Sequence, residues 1–346
     1  MTEAVWQKLD GTVTFLLPLR AVATLVGLLL AIAGITLVAL MSGSFPMSAG
    51  DALRSVVGNP PSDMALTVVW EFRLPRALAA AMAGALLAGS GAVLQTVTRN
   101  ALADPSLVGV SQGAGLAVVT VLVLYPETPF ALRPVFAFVG ALFVAALIQA
   151  IALRRAGDST MRFILTGIGV AAFLGAVTQT MFTYGDLERA MAALAWLAGS
   201  VQAAGWADVQ ALALSLLVLI PALVWCARPL AALRMGPEIA TGLGANVRRD
   251  GIALITLSVA LAASAVAIVG PIGFVGLIAP HLAKRLARCG PGLHLALSLA
   301  AGAALVAGAD LVGRTTFAPT QVPAGLVTAV IGAPVFGWLL MRKRVG

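Results

Sequence analysis

Apolar runs long enough to cross a bilayer recur along the whole of this chain, and that recurrence leaves it few ways to fold. A hydrocarbon core of roughly 30 Å is spanned by about 20 helical residues. Inside it a backbone must satisfy its own polar groups, which a helix does within a single segment. The composition agrees: 60% of residues are hydrophobic and only 10% are charged, against roughly 25% charged in a soluble domain. The polar stretches between the runs are too short for a soluble domain. The expectation is an all-α polytopic membrane protein, a single transmembrane domain over residues 1–346. The first run lacks a small-residue cleavage site and is read as a retained helix.

Ten spans are expected, at 21–41, 77–97, 107–124, 134–153, 163–182, 208–226, 251–269, 274–286, 293–311 and 324–341. The eighth is set by a break. Residues 252–282 are almost continuously apolar, and Gly270-Pro271 interrupts them, because proline removes a donor and disfavours helix in the residue before it. An even number of spans puts both termini on one side. That side carries sixteen of the 22 basic residues, which assigns it to the cytoplasm. Scattered over short loops, the basic residues answer to membrane topology rather than to nucleic acid. Six fall outside: Arg54, Arg73, Arg76, Arg133, Arg189 and Arg314. Arg73 and Arg76 stand just before the second span, against the trend, and need a reason.

Glycine, alanine and serine crowd the spans, as in "AGALLAGSGA" and "LAAGAALVAGAD", which lets helix backbones approach closely. No acidic or basic residue falls in mid-span, so the carboxylate or histidine of an ion-coupled carrier is not in evidence. His281 and His294 have no acidic or cysteine companions, and no metal site or cofactor is expected. Cys226 and Cys289 are far apart and near cytoplasmic helix ends, and no structural disulfide is expected.

Two cytoplasmic stretches stand out. The loop 228–249, "RPLAALRMGPEIATGLGANVRR", has a helix start at Pro237-Glu238 and carries Glu238, Ala240 and Gly244 as E-x-A-x-x-x-G. It reads either as an ordinary surface helix or as a short helix that docks into a groove on a soluble partner. The turn 99–115, "RNALADPSLVGVSQGAG", is rich in glycine but follows no strand and matches no phosphate-binding loop. No G-x-x-x-x-G-K-[ST] occurs anywhere in the chain, so no nucleotide site is expected.

These stretches, with "RLPR", "WLAGS", "GPIGFVGLIAPHL", "GADLVGR" and "VPAGLVTAVIGAPVFGWLL", resemble the permease subunits of ATP-binding-cassette importers for iron-siderophores, haem and cobalamin, over nearly the whole chain. The chain departs from that pattern at Asn100-Ala101, where Asn-Pro is usual, at Gln321, where an acid is usual, and at "GPG" around Gly290. The resemblance implies ten helices in two inverted repeats, the second to fifth and the seventh to tenth. It also implies a dimer of permease copies, two ATP-binding subunits that hydrolyse ATP, and a periplasmic or lipoprotein binding protein. Arg73, Arg76 and Arg314 would dock that binding protein through bidentate contacts to its carboxylates, the alternative being arginines that snorkel to the headgroups. Glu238, Ala240 and Gly244 would mark the helix that couples to the ATPase. Leu102, with Thr160 and Met161, would close the cytoplasmic gate, or else merely anchor their turns. The function so implied is a non-catalytic transport subunit of a bacterial inner membrane, carrying a ferric siderophore, with haem or cobalamin as the alternative cargo and an ion-driven secondary transporter as the rival class.

Overall fold

A computed structural model describes residues 3–6, 15–43, 45–153 and 159–342. It is helical nearly throughout. A short antiparallel pairing of Glu3–Trp6 (β1) with Phe15–Pro18 (β2) precedes the helices. Then come α1 (Leu19–Met41), α2 (Ala49–Val56), α3 (Asp63–Thr67), α4 (Leu74–Val97), α5 (Val110–Leu124), α6 (Arg133–Leu153), α7 (Ser159–Tyr184) and α8 (Leu187–Leu197). The second half holds α9 (Trp206–Trp225), α10 (Ala227–Arg234), α11 (Pro237–Gly242), α12 (Val247–Val269), α13 (Val275–Leu286), α14 (Pro291–Thr315) and α15 (Ala324–Arg342). Among the described residues, seven helical segments are long and apolar enough to cross a membrane, with α5 and α15 as shorter apolar helices. With α13 these correspond to the ten expected spans.

The burial of each helix shows its place. The most apolar window of the segment ending in α4 is 78% buried, whereas those of α1 and α7 are 6% buried. So α4 is the central post, and α1 and α7 are flanks. Around α4 pack α14, α12, α13 and α9. Small residues make this possible. A Cβ on Gly91 of α4 would collide with the backbone of Gly276 in α13, so the two backbones touch where the sequence supplies no side chains. Between α4 and α12, Ser90 Oγ donates to Ser258 O (2.6 Å) and Ser258 Oγ donates to Ser90 O (2.9 Å). Such a reciprocal pair is what an axis relating the first helices of two repeats would produce. Outside the bundle, α2 and α3 are tied down by tryptophans. Trp70 Nε1 donates to Ser55 O (2.9 Å), Trp206 Nε1 donates to Trp70 O (2.8 Å), and the two rings stack at 5.4 Å.

The second expected span begins much earlier than residue 77. A π-helical turn over Val68–Arg73 joins α3 to α4, giving one apolar helical segment, Asp63–Val97, of 35 residues. The "RLPR" stretch therefore lies inside a helix, not in a loop ahead of one. Pro75 falls where the π-helical turn passes into α4, and the carbonyl of Trp70, five residues earlier, takes its hydrogen bond from Trp206 instead. The third span begins at Val110, since a 3-10 turn at Pro105–Val108 and a left-handed Gly109 come first.

The break before α13 is real. α12 stops at Gly270 and α13 starts at Val275 with only 12 residues, about 18 Å of helix. It cannot cross a 30 Å core alone. The break is enclosed by two of the other quoted stretches: Ser200 N–H donates to Val269 O (2.8 Å) and Gly325 N–H donates to Gly199 O (2.9 Å). α13 also contains Pro280, which has no N–H to give the carbonyl of Gly276, four residues earlier. Gln95, the lone amide of the otherwise apolar α4, supplies the donor: its Nε2 lies 3.0 Å from Gly276 O.

We therefore expect Gln95→Leu to strand a buried carbonyl and cost ~1–3 kcal/mol of stability. Adding Pro280→Ala restores a backbone donor and should recover much of that loss. A double-mutant cycle of thermal unfolding in detergent checks this, and additivity of the two changes would refute the compensation.

Candidate functional site

Three positions carry the functional residues expected from sequence: an arginine cluster at one end of α4 and α14, the loop between α9 and α12, and the turn after α4.

Within the helical segment Asp63–Val97, Arg73 and Arg76 are three residues apart and so share a face. That face points inward: the two residues are 6% and 8% exposed. Arg73 Nη1 donates to Leu40 O and Nη2 to Phe45 O, both at 2.6 Å. Leu40 lies in the last turn of α1, where carbonyls have no helical partner, so Arg73 serves as a C-terminal cap supplied by another helix. Arg76 is gripped by Asp310 of α14. Its Nε lies 3.0 Å from both carboxylate oxygens, and its Nη2 lies 2.7 Å from Oδ1. Nη1 donates to Gln321 Oε1 at 2.7 Å, so the amide at this departure from the family pattern is an acceptor for the same guanidinium.

Arg314 differs. It lies one turn beyond Asp310 on α14 and is half-buried, and its Nε and Nη2 make no hydrogen bond within the described chain. A guanidinium edge withdrawn from water and left unpaired is costly. Of the three arginines, Arg73 and Arg76 are held by internal contacts, whereas the Nε and Nη2 of Arg314 are enclosed in the chain with no acceptor among the described residues. Sequence reasoning missed Asp310 because it stands next to last in its expected span. The available signal was that an inward Arg76 demands a counter-charge.

In the loop, α11 begins with Pro237 in its first turn and Glu238 beside it. It ends in a full Schellman motif: Ala245 N–H donates to Ala240 O and Gly244 N–H to Thr241 O, both 2.9 Å, with Gly244 at φ 83°. Glu238, Ala240 and Gly244 therefore do three different jobs. Glu238 is exposed in the first turn, Ala240 is fully buried against the bundle, and Gly244 stops the helix where a side chain would be strained. They do not form one small-residue face. The outward face is instead Ile239 and Leu243, one turn apart and 53% and 65% exposed, a pair the sequence reading passed over.

In the turn after α4, Leu102 is half-buried and its N–H donates to Asn100 Oδ1 (3.0 Å), an Asx turn that holds Leu102 in place. Asp104 follows it, buried, accepting from Ser106 N–H at 2.9 Å. Burial pushes its carboxyl pKa up, and the bonds from Ser106 oppose the shift. The carboxylate lies against α13, since a Cβ on Gly276 would sit 3.2 Å from Oδ2. Thr160 and Met161 fall in the first turn of α7, and their side chains lie outside the described residues.

A central post wrapped by short and broken helices, with the loop that carries α10 and α11 at one end and the arginine cluster at the other, is the architecture of a polytopic membrane protein. The chain belongs to the FecCD transport family, whose model matches residues 29–342. It is 39% identical over 317 residues to the achromobactin transport system permease protein of Dickeya dadantii, covering 91% of this chain and 90% of that one. It is 43% identical over 275 residues to the Fe(3+)-citrate import system permease protein of Bacillus subtilis, covering 79% and 81%. Among solved structures, a metal-chelate type ABC transporter in an inward-facing conformation superposes with a TM-score of 0.81 at 26% identity, covering 92% of this chain and 99% of that one. Members of the family are membrane-spanning transport subunits, and ATP hydrolysis belongs to a separate subunit.

Asp310→Ala should leave Arg76 buried without its counter-charge and lower stability by about 3–5 kcal/mol. Arg314→Ala removes a buried edge that has no partner among the described residues and should leave stability unchanged or raise it. Thermal unfolding of the two purified variants separates them, and equal losses would contradict the division of roles.

Proposed function

We propose that this chain is the permease of a bacterial inner-membrane importer that moves a ferric siderophore, drawing its energy from ATP hydrolysed on partner subunits. The observation that carries this reading is family membership over residues 29–342, and the names of the relatives supply the iron chelate as cargo. Both termini and the loop 228–249 lie on the cytoplasmic side in this reading, as the sixteen basic residues there require. Two copies form the transporter, and the little-buried α7 suits either lipid or the second copy. Haem and cobalamin, the other cargoes the resemblance admits, are separated from ferric siderophores by ligand titration of the binding protein.

Each face then has a partner. On the outer face Arg314 meets a carboxylate of the binding protein after its side chain turns outward, which frees the unpaired Nε and Nη2 for a bidentate grip. Arg73 and Arg76 act behind it, fixing the ends of α1, α4 and α14 so that Arg314 is held at a defined place. On the inner face α11 enters a cleft of the ATPase, with Ile239 and Leu243 as apolar knobs and Glu238 beside them. At the gate, Leu102 with Thr160 and Met161 from each copy meet near the dimer axis and shut the pathway by dewetting.

The partner assignments make separable predictions. Arg314→Glu should abolish binding-protein docking while the variant stays folded and keeps its ATPase. Ile239→Asp with Leu243→Asp should have the opposite effect, losing co-purification of the ATPase and keeping the docking. Pull-down with each partner in turn reads both, and a variant that loses neither partner would remove its residue from the interface. For the gate, cysteine at 102 should cross-link between copies in the closed state and change on adding a non-hydrolysable ATP analogue. Absence of the cross-link in every nucleotide state would place Leu102 away from the axis.

A further inference from the structure

A cavity of ≈770 Å³ opens between the ends of α4, α10, α13 and α14, on the side that the basic asymmetry assigns to the cytoplasm. Five cationic side chains line it, Arg99, Arg234, Lys284, Arg285 and Arg288, and no acidic residue does. Arg234 comes from the loop between α9 and α12 and Arg99 from the turn after α4, but none of the partner or gate contacts proposed above uses these five side chains. Like charges round one cavity raise each other's energy unless an anion lies among them.

Three features narrow the anion. The first is depth. The cavity reaches Ala92, five residues short of the end of α4 at Val97, or about 7 Å along the helix. With the span ending at Val97, the cavity starts at the expected headgroup level and reaches the edge of the hydrocarbon. The second is a fixed rim. Arg285 Nε donates to His281 Nε2 at 3.0 Å, and its guanidinium lies 4.4 Å over the ring of Trp338 in α15. The plane of the fork is set before any ligand arrives, and a tryptophan marks the membrane interface. The third is an apolar flank. On the neighbouring face of α13, Leu282 and Leu286 are exposed, and Trp338 and Met341 are exposed on α15. A cationic hollow with a greasy outer wall suits an amphipathic anion.

We propose that this cavity binds a phosphate group, carried as the headgroup of an anionic phospholipid of the inner leaflet, with its acyl chains along Leu282 and Leu286. Cationic pockets between transmembrane helices at this level take such headgroups. The site would pin the cytoplasmic ends of α13 and α14 beside α10 and the coupling loop. The proposal rests on the membrane placement given above and not on the transported cargo. Its test reads lipid and never uptake, so its failure would leave the permease reading intact.

The test is native mass spectrometry of the full chain, extracted from vesicles of phosphatidylglycerol and phosphatidylcholine, with and without inorganic phosphate. Wild type should retain phosphatidylglycerol over phosphatidylcholine. Lys284→Gln with Arg285→Gln should reduce that retention roughly tenfold or more, and Arg248→Gln with Arg249→Gln, which lie outside the cavity, should not. If the loss of Arg285 unfolds the chain, Lys284→Gln with Arg288→Gln keeps the Trp338 contact and should still reduce retention. Phosphate that displaces the lipid and binds equally well alone would keep the phosphate site and make free phosphate its source. Equal retention of the two lipids, or retention unchanged in both cavity variants, overturns the proposal. So does complete release of the lipid when the ATPase is added, which would assign the cavity to an acidic surface of that subunit.

Discussion

In hydrocarbon a backbone carbonyl without a donor has no water to turn to, and the least regular part of this chain is organised around that constraint. The segment from α12 to α13 abandons helix at Gly270, resumes at Val275, and five residues later places Pro280 where a donor is needed. Two carbonyls of this segment are met by other elements, Val269 O by Ser200 N–H and Gly276 O by Gln95 Nε2, and Gly325 N–H on Gly199 O ties the start of α15 to the same place. The stretches that meet at the break are far apart in sequence, and their contact gives a physical reason for their peculiar composition. Glycines let the backbones touch, and one amide does what a proline cannot.

The same logic governs the arginines. A charge among apolar helices is tolerated when it is paired and fully hydrogen-bonded. Arg76 meets that condition through Asp310 and Gln321, and Arg73 through two carbonyls at the end of α1. Their departure from the positive-inside trend thus has a structural cause as well as any cause in docking. Arg314, one turn further along α14, has Nε and Nη2 without an acceptor among the described residues. The internal contacts of Arg73 and Arg76 brace the helix ends.

Much of this was legible in the sequence. Apolar length located most of the expected spans, because crossing a bilayer imposes a minimum run that few other structures need. The break at Gly270-Pro271 was legible from backbone chemistry. The start of α4 was not, since Arg73 and Arg76 look like loop residues until Asp310, more than two hundred positions away, is known to face them. The loop between α9 and α12 was half legible. Pro237 correctly announced a helix start, but the spacing of Gly244 did not reveal it as the terminating left-handed residue, and the exposed pair Ile239 and Leu243 emerged only with the helix register. Pairings across distant segments are set by tertiary contact, and a single sequence does not state them.

The central claim is that the chain conducts a ferric chelate when driven by ATP on partner subunits. Its most direct test is uptake of radiolabelled ferric siderophore into proteoliposomes holding the chain with its ATPase and binding protein. The account predicts uptake that needs ATP and the binding protein, persists when ionophores collapse the proton and sodium gradients, and stops when the ATPase is omitted. Uptake by the chain alone, driven by an ion gradient and abolished by the ionophores, would contradict it.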